Sequence, residues 1–124
     1  MKYMVALVFA LFFSVPALAQ HSHSAKGPNG GQTQDVAGVE VELVTDGTSI
    51  TLHVTNDNHK PVPVKGFTAS ALVASASAQE PVMLEVAGES SFKGTSKAAI
   101  APGATITIML KTPAGKSGQA RFKK

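Results

Sequence analysis

The chain of 124 residues has no cysteine, no tryptophan, one tyrosine and six phenylalanines. Without cysteine it can form no disulfide, thiolate metal centre or iron–sulfur cluster, and it has no cysteine nucleophile. Tyr3, Phe9, Phe12 and Phe13 crowd the N-terminus, so everything downstream relies on Phe67, Phe92 and Phe122 for aromatic rings. Surfaces that bind sugars or single-stranded nucleic acid stack their ligands on such rings at about 1–3 kcal/mol each. Three phenylalanines barely furnish a core, which argues against that class. Charge is also scarce: 15% of residues are charged and the formal net charge is +3, too little to hold nucleic acid electrostatically. No serine stands in a nucleophile-elbow sequence, and no motif pairs a general acid with a base. The glycine run Gly27-Pro28-Asn29-Gly30-Gly31 lacks the lysine and the following helix of a phosphate cradle. We therefore expect no enzyme: no catalytic residues and no organic cofactor.

What is present begins at the N-terminus. Lys2 precedes an apolar run from Met4 to Val15 broken only by Ser14, and Ala17-Leu18-Ala19 supplies small residues for a signal peptidase. Residues 1–19 are expected to be a cleaved signal peptide that sends the protein to the periplasm. The run is too short to span a bilayer core of about 30 Å, and no later stretch is apolar enough, so the mature chain should carry no transmembrane segment. Cleavage after Ala19 is favoured over cleavage after Gln20, which would place Leu18 and Gln20 where small residues belong. Residues 20–34 then form a polar, glycine-containing leader without apolar periodicity, expected to be flexible.

Residues 35–124 read as one β domain. Val39, Val41 and Leu43 alternate with Glu40 and Glu42, and Ile50, Leu52 and Val54 alternate with Thr51, His53 and Thr55, the period-2 signature of half-buried strands. Asp46-Gly47 between them suits a hairpin turn. Pro61 and Pro63 confine the next extended piece to an edge or a crossover. Residues 67–77 are alanine-rich, which favours helix, yet they alternate in polarity as a strand does, and we favour strand. Three further sets follow: Val82, Leu84 and Val86; Ile106, Ile108 and Leu110; Ala120 and Phe122. About seven short strands with regular turn signals predict an all-β, antiparallel immunoglobulin-like sandwich, with a small β-barrel as the alternative.

Histidine is the residue with chemistry to offer. His21 and His23, two apart in the leader, can converge on one borderline ion such as Cu(II), Ni(II) or Zn(II). The cleavage point sets how well: with Gln20 first, a terminal amine, a backbone amide and the His21 imidazole form a partial copper chelate. His53 lies on the polar face of its strand, and His59 follows in a turn with Asp57, so His53, Asp57 and His59 form a second conceivable oxygen–nitrogen set. Glu40 and Glu42 share an outward face and can attract cations weakly; solvated charge is the ordinary reason for such a pair. Only Met83 and Met109 remain after processing, which weighs against a methionine-rich copper(I) site.

The signal peptide, Gly27-Pro28-Asn29-Gly30-Gly31, Val41-Glu42-Leu43-Val44 and Lys60-Pro61-Val62 together resemble a group of small proteobacterial periplasmic proteins, and segments of the periplasmic adaptor subunits of heavy-metal efflux pumps. The resemblance covers most of the mature chain and implies compartment and fold. Where that group has histidine before the first glycine this chain has Lys26, and where histidine often precedes Val-Glu-Leu it has Glu40. Two functions are expected from these readings. One is a periplasmic protein that binds a transition-metal ion (copper, nickel or zinc) through His21 and His23, helped by His53 or His59, for buffering or delivery. The alternative is a metal-free structural or interaction module whose sandwich edge or basic C-terminal strand pairs with an envelope protein.

Overall fold

The structure is a computed structural model that describes residues 25–124. The expected signal peptide, His21 and His23 lie outside the described residues. Eight strands follow in order: β1 (Gln32–Val36), β2 (Val39–Asp46), β3 (Ser49–Thr55), β4 (Thr68–Ala74), β5 (Gln79–Val86), β6 (Ser91–Thr95), β7 (Thr105–Lys111) and β8 (Ser117–Lys123). Every pairing is antiparallel, and the lateral order is β1-β2-β3-β6-β5-β4-β7-β8. No helix of the described residues is long and apolar enough to cross a membrane.

The two-residue alternation explains the layers. Val41, Leu43, Ile50, Leu52, Val54 and Phe92 are buried on one side, and Ala69, Ala71, Val82, Leu84, Ile106, Ile108, Leu110, Ala120 and Phe122 on the other, forming one apolar core. The alanine-rich stretch is strand β4: Ala69, Ala71 and Val73 point inward while Ser70 and Leu72 point out, and neighbours on both flanks, β5 and β7, satisfy its backbone. The turn between β2 and β3 forms where Asp46-Gly47 marks it, with Gly47 at φ 59°. After β3 the Pro61–Pro63 piece makes a single bridge to Thr55 and carries the chain across to β4.

Strands β2 to β8 occupy, in order, the seven places of an immunoglobulin-like sandwich, except that β5 pairs with β4 from Gln79 to Leu84 and reaches β6 only at Glu85 and Val86. Two strands were not expected. The sequence Ser91-Phe92-Lys93-Gly94-Thr95 has one buried apolar residue, and β6 forms because Gly94 admits β5 closely: a Cβ there would lie 2.9 Å from the Met83 carbonyl oxygen. Strand β1 lies partly inside the segment read as a flexible leader. It turns into β2 through Ala37-Gly38, both with positive φ (52° and 86°), as a type I′ turn requires, without the Asn-Gly or Asp-Gly that would announce one.

On the far side β1 meets β8 without a backbone ladder. Gln32 Nε2 donates to the Lys123 carbonyl at 2.9 Å, and Gln34 Nε2 donates to that of Arg121. The two glutamines occupy inward register positions, opposite Leu43 and Val41, and use them to close the seam. Sandwich and barrel thereby converge: the sheet is nearly closed, by a ladder at β5–β6 and by glutamine amides at β1–β8.

Candidate functional site

The ordered leader is built around one carboxylate. Glu42 points to the outer face of β2 as its alternation demands, but it is only 3% exposed because residues 25–31 fold over it. Its oxygens accept hydrogen bonds from the Asn29 amide N–H at 2.9 Å, from Asn29 Nδ2 at 3.0 Å and from the Gly31 N–H at 2.8 Å. Gly30 N donates to the Gly27 carbonyl at 3.0 Å, closing a turn with Pro28 at its second position. A Cβ on Gly27 would collide with the Glu42 carboxylate, and one on Gly31 with the Leu43 carbonyl oxygen. Gly-Pro-Asn-Gly-Gly is thus a clasp, and the expectation that Glu42 shares an outward, cation-attracting face with Glu40 is corrected: Glu42 is buried and its carboxylate accepts from three donors of the clasp.

The clasp fixes where the chain enters. Thr33 N–H and Oγ1–H both donate to the Ala25 carbonyl, at 3.0 and 2.9 Å, and Lys26 bridges Gln32 in antiparallel sense. From Lys26 to Ala25 the backbone therefore runs in the direction that leads from Gln32 along β1 to Asp35. Asp35 is the cross-strand partner of Glu40, placing two carboxylates directly opposite on the outer face, an arrangement that like-charge repulsion disfavours. Glu40 in turn meets His59, Oε1 to Nδ1 at 3.4 Å; the imidazole is 69% exposed and the carboxylate 17%.

His59 reaches Glu40 because of its turn. Asn56 Oδ1 accepts from the Asn58 N–H at 2.9 Å and the Lys60 N–H at 3.0 Å, and His59 adopts φ 59°. Asparagine-capped turns of this kind fold the chain back on the strand end. His53 instead lies half-buried one row away, opposite Glu42 and Ser91, and Asp57 is exposed. His53, Asp57 and His59 do not form a three-ligand group, and no group of three or more histidine, aspartate and glutamate side chains able to hold a metal occurs among the described residues. The contact that forms is Glu40–His59, with Asp35 beside it. Asp35 was not singled out as a candidate, because it faces Glu40 only through the unannounced Ala37-Gly38 turn.

No family model, no curated protein and no solved structure matches this chain.

Proposed function

We propose that the protein is a periplasmic β-sandwich that binds one transition-metal ion, Cu(II), Ni(II) or Zn(II), between the leader histidines His21 and His23 and the Asp35–Glu40–His59 edge, and that it buffers or delivers that ion. The observation supporting this reading is the Glu40–His59 contact, with Asp35 opposite Glu40 in register, at the edge toward which the ordered chain leads. These three side chains do not make a metal-holding group by themselves, so the reading requires the leader histidines to supply the remaining ligands. Asp35 lies two residues beyond Thr33, about 7 Å along the strand. His23 is two residues before Ala25, a span of up to about 7 Å of extended chain. Imidazole nitrogen with carboxylate oxygen suits these borderline ions, and a cation there would relieve the Asp35–Glu40 repulsion. The apolar run and Ala17-Leu18-Ala19 support export, and the resemblance of Gly27–Gly31 to segments of small periplasmic proteins supports the same compartment.

The test is titration of the exported, untagged protein, its N-terminus fixed by mass spectrometry, with Cu(II), Ni(II) and Zn(II). His21→Ala/His23→Ala should weaken binding at least tenfold and His59→Ala less. Affinity unchanged by the leader pair would refute the site. Because imidazole binds metal only when deprotonated, binding should also weaken on acidification.

The reading without metal draws on the β8 edge, whose Arg121 and Lys123 carbonyls are covered only by glutamine side chains. A partner strand displacing those amides would extend the sheet. Crosslinking from β8 in envelope extracts, with no metal bound by the purified chain, is the outcome that reading requires.

A further inference from the structure

The outer face of the second layer carries the two methionines of the β domain in a single row. Ser70 on β4 is the cross-strand partner of Met83 on one side and of Met109 on the other, and Gln119 on β8 continues the row. Met83 is 75% exposed and Met109 41%, and with Val86 they are the large exposed apolar side chains, so the core does not need them. They wall a groove of about 420 Å³, with Ser70 and Thr68 also in its lining.

The methionine count alone weighs against a methionine-rich copper(I) site, but the strand order sets both methionines beside Ser70, and we infer that this groove is a two-thioether binding site for a soft monovalent cation, Cu(I) or Ag(I), held between Met83 and Met109 over Ser70. Thioether sulfur selects such ions over harder ones. Strands about 4.8 Å apart put the two methionine backbones about 10 Å from each other across β4. Two sulfurs at about 2.3 Å from a shared ion are about 4.6 Å apart, so each side chain leans roughly 3 Å inward, well within the freedom of its three rotatable bonds. Ser70, small and in the same row, leaves the space above β4 open for this. Lys111 also lines the groove; its charge opposes any cation there, a divalent ion about twice as strongly as a monovalent one. The site lies on the opposite layer from Glu40 and His59 and does not depend on the leader, although an ion-handling role for one face gives a purpose to the other.

The experiment is anaerobic titration of the full chain with Cu(I) against a chromophoric chelator, in the native protein, in Met83→Leu/Met109→Leu and in His21→Ala/His23→Ala. Leucine preserves volume at exposed positions, and an unchanged amide spectrum verifies the fold. One Cu(I) should bind, the Met83 and Met109 methyl resonances should shift with it, and the double leucine variant should lose at least tenfold in affinity while the histidine variant retains it. A loss below tenfold in the leucine variant, static methyl resonances, or binding that disappears with the histidines alone would overturn the inference, and would leave the leader site to be judged on its own titration.

Discussion

Replacing Glu42 by glutamine removes one charge and one acceptor from a site that presents three donors: the Asn29 N–H, Asn29 Nδ2 and the Gly31 N–H. Hydrogen bonds to a charged acceptor contribute about 1.5–3 kcal/mol each, and a buried donor left without a partner costs about 1–3 kcal/mol. The Asn29 bonds are partly exposed, so water can replace much of what they lose, whereas the bond from Gly31 is buried. Glutamine keeps one oxygen and turns an amide nitrogen toward at least one of the donors. The expected destabilisation is about 2 kcal/mol for Glu42→Gln, and about 3 kcal/mol for Glu42→Ala, which abolishes all three bonds. In urea, with a slope of about 1–1.5 kcal/mol/M for a domain of this size, the glutamine variant should unfold about 1–2 M earlier. Glu40→Gln is the control: its contact with the exposed His59 imidazole is worth about 0.2–1 kcal/mol, and losing the charge also relieves the repulsion from Asp35, so the net change should be small. Hydrogen exchange should locate the damage, the Gly31 amide losing protection ahead of β3 and β7. A Glu42→Gln midpoint within error of Glu40→Gln would refute the clasp.

Gly31→Ala drives a Cβ against the Leu43 carbonyl oxygen, a backbone atom that cannot step aside; a loss above about 2 kcal/mol is expected by chemical denaturation. Ala37→Asn places the residue preferred at φ 52° before Gly38 and should stabilise by about 0.5–1 kcal/mol, raising the melting temperature by a few degrees in calorimetry. Gln32→Ala with Gln34→Ala opens the seam at about 0.5–1 kcal/mol per lost bond. Exchange should then quicken at the facing edges of β1 and β8 and stay unchanged in β3.

The alternation that marks β2, β3, β5 and β7 was legible because each buries one face, and it carried the all-β antiparallel class; the strand order was not legible, because β6, which stands between β3 and β5, had no such signal. What escaped was contributed by residues without an apolar signature. Strand β1 presents glutamines inward, at a seam where they serve as hydrogen-bond donors in place of a ladder, and β6 rests on one phenylalanine and one glycine. Glu42 and Glu40 look equivalent in the sequence. Only the fold-back of residues 25–31 separates them, burying one carboxylate and leaving the other to His59. Likewise His53 and His59 are alike as letters, but a strand row fixes the first and an asparagine-capped turn aims the second. Met83 and Met109, 26 positions apart in the sequence, share a row only because β4 runs between their strands.

The claim that matters most is that a metal ion rests between the leader histidines and the Asp35–Glu40–His59 edge. Paramagnetic broadening of amide resonances by substoichiometric Cu(II) tests it directly. The account predicts that Asp35, Glu40 and His59 broaden first, that β4 and β7 in the opposite layer stay sharp, and that His21→Ala/His23→Ala abolishes the pattern. Broadening spread evenly over the domain, or a pattern at Asp35, Glu40 and His59 that survives loss of both leader histidines, would contradict it.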